Sequence, residues 1–294
     1  MSGEITFHGG RRTLAGFGVA VAAIVAVFVP VEAAVADLPT WVGVVADVAR
    51  FAAFAGALLA VLRFEEVGLP ELGLSRGRLL PALAAFGAVW VALNALGVAV
   101  ATAAGEPWSV ASIWTLPERG QQLYGSLRAP WLTAVLLQFA VVGLVEEAAF
   151  RGYFQTKVIA LLGDGGRLRV AGGVAASSLL FGVLHTPGAL FAGASPTGVL
   201  AAAALPAITG VLFGAIYELT HNVWLVALFH GLGNTWPLAV DWTQWSGPTL
   251  WAFWAGAAVV YVAAVAGYRR WAVDTDRSPL VRRVNDARPS AGAR

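Results

Sequence analysis

The amino-acid sequence predicts an all-α protein, a polytopic transmembrane helical bundle of about eight spans with both termini cytoplasmic. Of the residues, 58% are hydrophobic and only 12% are charged, against about 25% charged in soluble domains. The apolar residues also fall into runs of roughly 20 residues, the length that an α-helix needs to cross a bilayer. Because a spanning segment must satisfy its own backbone hydrogen bonds, we expect these runs to be helices.

The eight predicted spans follow one another with short polar connections between most of them. Residues 63–79 form a polar, turn-rich connection, and its segment 69–74 could lie in the membrane interface as a short amphipathic element. Residues 105–129 form the longest internal loop. Pro206 is expected to kink the sixth span. Polar residues in the connections and at the span ends are expected to lie at the surface, and these include Glu65, Glu66 and Glu218. His221, in a short loop, is expected to cap a helix or to be solvated in the interface. The spans run approximately over residues 14–36, 41–62, 80–104, 131–162, 170–191, 198–217, 222–240 and 248–268.

The orientation follows from the distribution of Lys and Arg among the loops. With the amino terminus inside, the inner segments carry 14 of the 19 basic residues, the outer loops carry 2, and 3 lie within spans. Tryptophan shows the opposite bias, since most Trp residues fall at the presumed outer ends, where an interfacial aromatic belt would place them. We therefore expect a multi-pass protein of the cell membrane.

Three charged residues within six positions interrupt the fourth span, where a membrane helix normally carries none. A charge at bilayer depth costs roughly 2.5–3.5 kcal/mol on insertion scales. Glu147 and Arg151 have the i, i+4 spacing of an ion pair, with the acid on the amino-terminal side. Glu146 is turned by about 100° from Glu147 and can face elsewhere. The three charges could be a packing lock between helices, but the surplus carboxylate favours chemistry.

Two later spans bring further polar side chains to a similar depth. His185 lies in the fifth span, and His230 and Asn234 lie one turn apart in the seventh. A lone buried His often only bonds a neighbouring carbonyl group, but two His, an Asn and a spare Glu at one depth favour a site. Gly182, Gly231 and Gly233 would let the neighbouring helices approach closely.

The available side chains fit hydrolysis of an amide in a sheltered cavity. The chain has no cysteine, which excludes a thiol nucleophile, and it has no His-Glu-x-x-His, Gly-x-Ser-x-Gly or Walker-type sequence. A Glu can act as general base on water, with imidazoles orienting that water or binding a metal that acidifies it. An Asn can stabilise a developing oxyanion or complete a metal shell.

At these residues the sequence resembles the CPBP family of intramembrane proteases, which includes the type II CAAX prenyl endopeptidases and bacteriocin-processing proteins. The family pattern reads Glu-Glu-x-x-x-Arg, Phe-x-x-x-His and His-x-x-x-Asn/Asp. In this chain the three motifs are Glu146-Glu147-x-x-x-Arg151, Phe181-x-x-x-His185 and His230-x-x-x-Asn234. The resemblance covers about residues 131–237.

The resemblance implies an intramembrane endopeptidase that cleaves a membrane-associated or lipidated, CAAX-like peptide. It implies that Glu146 is the catalytic base, that His185 positions the water, and that His230 and Asn234 stabilise the oxyanion or bind metal. Glu147 and Arg151 would orient the site. The family is usually called metalloprotease, so Zn²⁺ is a candidate cofactor with Glu146, His185, His230 and Asn234 as its ligands, but the residues equally permit a metal-free mechanism.

The predicted spans and the extent of the resemblance together divide the chain into four regions. These are an N-terminal transmembrane region (1–130), a protease core (131–237), a last span (238–268) and an Arg-rich cytoplasmic tail expected to be disordered (269–294). The expected partners are the lipid bilayer and a peptide or lipidated protein, not nucleic acid. Two other functions remain open: a non-proteolytic immunity or binding protein that retains the site, and a redox or ion-translocating protein with His185 and His230 as haem ligands.

Overall fold

The computed structural model describes residues 3–106, 135–235, 238, 240, 245–275 and 281–286. A short helical segment, Pro70–Leu74, is kinked at Gly73. The fourth helix, α4, is continuous but alternates between π and α geometry over Gln138–Gly143, Leu144–Glu147, Ala148–Gln155 and Thr156–Leu162. The other elements are β1 (Gly3–Phe7), α1 (Arg11–Val35), α2 (Thr40–Glu65), α3 (Arg76–Ala104), α5 (Arg167–Val183), α6 (Thr186–Phe191), α7 (Pro196–Thr220), α8 (Val223–Thr235), α9 (Gly247–Asp274) and β2 (Val281–Asn285).

The predicted helical membrane bundle is confirmed. Within the described ranges, six helical segments are long and apolar enough to cross a membrane, and these are α1, α2, α3 with its preceding turn, α5 with α6, α7 and α9. The remaining two helices are less typical spans. Charged residues interrupt α4, and α8 has 13 residues, which extend over only about 20 Å. These two helices carry Glu146, Glu147, Arg151, His230 and Asn234.

Some predicted features fall outside the described residues. They are most of the 105–129 loop, the start of the fourth span at 131–134, the last part of the seventh span, and much of the tail after residue 275. Trp108, Trp114, Trp131, Trp236 and Trp242 of the predicted aromatic belt lie there as well.

Helices α4 and α8 approach each other closely because glycines remove the side chains between them. A Cβ atom on Gly143 would lie 2.8 Å from the carbonyl oxygen of Ala227, and one on Gly231 would lie 2.7 Å from the ring of Phe139. Gly182 of α5 has the same role against Ala203 of α7, at 2.3 Å. The expectation for Gly233 is wrong, because its nearest neighbour would be 4.0 Å away. Gly143 was not foreseen.

The two ends of the chain form a parallel two-stranded sheet, which the sequence did not predict. β1 pairs with β2 in a register that runs from Gly3 opposite Val281 to Phe7 opposite Asn285. Ile5 and Phe7 are buried. The expectation of a disordered tail from residue 269 is therefore wrong for residues 269–274, which continue α9, and for the strand 281–285.

The sheet covers a buried ion pair between α2 and α4. Lys157 and Glu65 are both fully buried, with Nζ 2.9 Å from Oε1. Lys157 also donates to the backbone oxygen of Gly9 and, over 2.8 Å, to Asn285 Oδ1. The second carboxylate oxygen of Glu65 accepts from the Gly9 amide at 2.6 Å. Reading Glu65 as a surface acid was wrong, because its partners come from segments far away in the sequence.

A second contact fixes β2 against the bundle. Arg283 donates over 2.7 Å to Glu218 Oε2 near the end of α7, and its backbone amide donates over 2.8 Å to Asp164 Oδ2. Gln155 of α4 donates to the other oxygen of Glu218 at 2.7 Å. Glu218 was expected to be solvated, but its side chain is only 15% exposed and has these two partners.

The segment before α3 packs against the connection between α7 and α8. Gly73 has φ +96°, and a Cβ there would lie 2.6 Å from the backbone oxygen of His221. Arg78 donates to the backbone oxygens of Thr220 and His221 at the end of α7. His221 is 3% exposed, and its Nε2 lies 2.8 Å from the backbone oxygen of Glu71. Of the two roles expected for His221, helix capping is confirmed, because it is the C-cap residue of α7, and interfacial solvation is wrong, because it is buried.

His221 is expected to make the protein less stable in mild acid. Burial, with the nearby Arg78 charge, lowers its pKa from 6.5 to about 3, whereas the backbone oxygen of Glu71 opposes the shift. Between those two values the unfolded chain binds the proton and the folded chain does not. The stabilisation is therefore complete above pH 6.5 and falls by about 2 kcal/mol by pH 5.

The measurement is the melting temperature of the detergent-purified protein between pH 5 and 8, compared with that of His221→Asn. Asn tolerates the left-handed backbone that His221 adopts, at φ 44°. The variant should lose most of the acid slope, whereas His8→Asn should keep it. An identical slope in wild type and His221→Asn would contradict the assignment.

Candidate active site

Glu147 and Arg151 form a fully buried ion pair inside α4. Arg151 Nε lies 3.1 Å from Glu147 Oε2, so the pair predicted from the i, i+4 spacing is present. The guanidinium carbon lies 4.6 Å from the ring centroid of Phe181 and 5.8 Å from that of Phe213. The aromatic faces stabilise the charge on the side away from the carboxylate. Arg151 is thereby held in one orientation and in turn holds Glu147.

His230 of α8 contacts both acids of α4. Its Nδ1 lies 2.6 Å from Glu147 Oε1, and its Nε2 lies 3.6 Å from Glu146 Oε2. An ionised carboxylate only accepts, so Nδ1 carries the hydrogen, and in the neutral ring Nε2 offers a lone pair towards Glu146. The ring also stacks on Phe213, with 5.3 Å between ring centroids. Glu147 therefore sets both the tautomer and the direction of His230.

The two adjacent acids have different environments. The side chain of Glu147 is completely buried and lies against Arg151 and His230, whereas that of Glu146 remains 14% exposed. At 3.6 Å the distance from Glu146 to His230 is longer than a hydrogen bond, so the carboxylate of Glu146 keeps acceptor capacity for another partner. Glu146 is therefore the acid that can meet a solvent molecule.

His185 lies at the break between α5 and α6. Its Nδ1 is 2.7 Å from the backbone oxygen of Phe181, so this nitrogen carries the hydrogen and Nε2 is the acceptor of the neutral ring. The Phe181 ring lies between the two histidines, 4.6 Å from His185 and 6.1 Å from His230 between centroids. Among the described residues, His185 makes no ion pair with Glu146 or Glu147. It is the least tightly placed of the predicted site residues.

Asn234 is held by a residue that the sequence analysis missed. Its Nδ2 donates over 2.8 Å to Oε1 of Gln138, in the first described turns of α4. Gln138 is 6% exposed. A glutamine in a long apolar run is a signal that could have identified it. Asn234 thus joins the two helices that carry the rest of the site.

The candidate metal ligands Glu146, His185, His230 and Asn234 are not arranged as a metal centre. Over the described parts of the chain, no group of three or more His, Cys, Asp or Glu residues is placed to hold an ion. Glu147 and the Phe181 backbone oxygen contact Nδ1 of His230 and His185, and Gln138 accepts from Nδ2 of Asn234, so Nε2 of each histidine and Oδ1 of Asn234 have no part in these contacts. The geometry gives no support to a metalloprotease, and zinc remains untested.

A comparison with protein-family models connects this geometry with a known class. Residues 128–236 match the family model described as type II CAAX prenyl endopeptidase Rce1-like. The Rce1-like segment contains all six predicted site residues, and the match agrees with the CPBP resemblance of the motifs. Searches among curated proteins and among solved structures gave no significant match to this chain. The Rce1-like match, together with the six apolar helices, indicates an integral membrane protease that acts on peptides.

Proposed function

We propose that this chain is a glutamate-dependent intramembrane endopeptidase of the cell membrane that hydrolyses a peptide bond in a membrane-associated or lipidated, CAAX-like peptide. One observation carries the proposal: a buried Glu147–Arg151 pair directs His230 towards a second, solvent-accessible carboxylate, Glu146. A packing lock would need only one acid and one base. The Rce1-like match supports the same reaction class.

In this mechanism Glu146 and the neutral His230 share one water molecule. Each presents an acceptor, so the water donates one hydrogen to Glu146 Oε2 and the other to His230 Nε2. The water oxygen then attacks the peptide carbonyl carbon while Glu146 takes a proton. As the tetrahedral intermediate collapses, the C–N bond breaks and Glu146 gives the proton to the leaving nitrogen. The products are a carboxylic acid and an amine, which become a carboxylate and an ammonium group when the acid gives its proton to the amine.

The other predicted residues act around this step. Glu147 fixes the tautomer of His230, as a buried carboxylate does for a catalytic imidazole, and Arg151 fixes Glu147. Asn234, oriented by Gln138, lies one turn from His230 and is the side chain that would stabilise the oxyanion. His185 would accept from the water or from a substrate amide through Nε2. His185 becomes an oxyanion donor only if that nitrogen is protonated.

The proposed function is tested by comparing the membrane peptidomes of cells that express the wild type and cells that express Glu146→Gln. We expect peptide products present only with the wild type, with equal amounts of the two proteins in the membrane. Glu106→Gln changes an exposed acid at the end of α3 and is the matched control. A phenotype that survives Glu146→Gln without any altered peptide would instead support the immunity or binding alternative.

Chelation is expected to leave hydrolysis unchanged, because in the proposed mechanism Glu146 and His230 act on the water directly. The measurement is cleavage by the purified protein after prolonged dialysis against 1,10-phenanthroline, with metal content determined by elemental mass spectrometry. A loss of activity that Zn²⁺ restores would contradict the metal-free mechanism while leaving Glu146 as a possible base.

A further inference from the structure

A cleft between α3 and α9 is lined by none of the predicted site residues. It has a volume of about 790 Å³ and is bounded by α3 from Arg76 to Ala88 and by α9 from Ala264 to Trp271. Ala and Gly residues make up about half of its lining, and the lining as a whole is predominantly apolar. Both helices are membrane-spanning segments, so in a bilayer the cleft faces lipid rather than water.

The same two helices pack tightly towards their other ends. Leu96 of α3 lies directly on Gly256 of α9, where an added Cβ would be 2.7 Å from the Leu96 side chain. At the Arg76 end, by contrast, Gly267 has nothing within 4 Å of the position of a Cβ. The cleft is therefore confined to one half of the helix pair.

The length of the cleft corresponds to one leaflet. From Arg76 to Ala88 the helix rises about 18 Å, close to half of the ~30 Å hydrocarbon core. A helix of a partner protein would continue through both leaflets, whereas an acyl chain ends near the midplane. Gly and Ala in the lining leave room for such a chain.

The open end of the cleft carries groups that suit an anionic headgroup. Arg76 is exposed and, within the described part of the chain, makes neither a hydrogen bond nor an ion pair. Trp271 lines the same end of the cleft, and Trp is a residue that favours the membrane interface. Basic pockets between membrane helices bind acidic phospholipid headgroups.

We propose that this cleft binds one anionic phospholipid, with an acyl chain along the small residues of α3 and α9 and its phosphate on Arg76. The lipid would also contact Tyr268, whose hydroxyl lies 2.6 Å from Asn222 Nδ2. Asn222 accepts from the Leu225 amide at the start of α8, the helix that carries His230. The site therefore connects bilayer composition with the helix that holds the catalytic imidazole.

The test is native mass spectrometry of the full chain released from bilayers that contain equal amounts of phosphatidylglycerol and phosphatidylcholine with the same acyl chains. The wild type should retain one phosphatidylglycerol in preference to phosphatidylcholine. Arg76→Gln should reduce that preference about fivefold, the effect of one surface charge. Arg270→Gln removes an exposed charge from α9 outside the cleft and should leave the preference unchanged.

A second pair of variants tests the acyl-chain position. Gly267→Leu in α9 fills the cleft and should remove the retained lipid. Gly87→Leu, at an open position of α3 that does not line the cleft, should not. Equal effects of Arg76→Gln and Arg270→Gln would show only diffuse charge attraction and would overturn the proposal. Retention of the lipid by Gly267→Leu would also overturn the proposal. So would a wild-type dimer that dissociates in this variant.

Discussion

Glu146→Gln is expected to lower kcat for peptide hydrolysis by about 10²–10⁴-fold, the contribution of a positioned general base. Glutamine keeps the size of the side chain but cannot take the proton of the attacking water. The side chain of Glu146 is partly exposed and its nearest described ionic partner is His230 at 3.6 Å, so the melting temperature should change little. Turnover of a quenched-fluorescence prenylated peptide and thermal unfolding, both on purified protein, provide the two measurements.

Glu147→Gln should differ from Glu146→Gln in the same assays, because it should change stability as well as activity. It removes a fully buried carboxylate and leaves the Arg151 charge uncompensated, so both activity and melting temperature should fall. If Glu147→Gln abolishes activity at unchanged stability while Glu146→Gln remains active, the roles assigned to the two acids are reversed and the mechanism is wrong.

Lys157→Met is expected to destabilise the protein by about 3–5 kcal/mol, because it leaves the buried Glu65 carboxylate without its cation. The substitution also removes the hydrogen bonds from Nζ to Gly9 and Asn285, and with them the link between the two terminal strands. Unfolding in mixed micelles with increasing SDS measures the loss.

The double variant Lys157→Met with Glu65→Leu should recover part of the stability, since no unpaired charge then remains buried. Arg282→Met is the matched control, because Arg282 and Glu4 also connect the two strands but are 74% and 50% exposed. That control should cost less than about 1 kcal/mol. A comparable loss in Arg282→Met and Lys157→Met would show that strand pairing, rather than the buried charge, governs stability.

The local part of the architecture could be predicted because each span is a continuous apolar run. The ion pair of Glu147 with Arg151 was equally accessible, since it depends only on helical spacing. The contact of His230 with Glu147 joins residues 83 positions apart, and only its general depth could be estimated. Which of the two acids lies buried against His230 depends on how α4 and α8 pack, and this is decided by Gly143 and Gly231.

The interactions missed by the sequence analysis are all non-local. In the sequence Glu65 has the surroundings of a loop acid, and only the fold places Lys157 and Gly9 beside it. Glu218 likewise has the surroundings of an exposed helix end, and only the fold places Arg283 beside it. β1 and β2 are five-residue segments separated by nearly the whole chain, and neither would be stable as a strand by itself. The order of apolar residues in α4 shows no pattern that would predict its alternation of π and α geometry.

The pairing of β1 with β2 has a consequence for biosynthesis. Because β2 follows the last membrane helix, it leaves the ribosome only after every other element has been made and inserted. Until then the nascent protein carries Lys157 without its Asn285 partner and β1 without a neighbouring strand. Completion of the fold, and with it the final fixing of the helix that bears Glu146, therefore waits for the synthesis of β2, so premature stop codons between α9 and β2 should yield inserted but incompletely assembled protein.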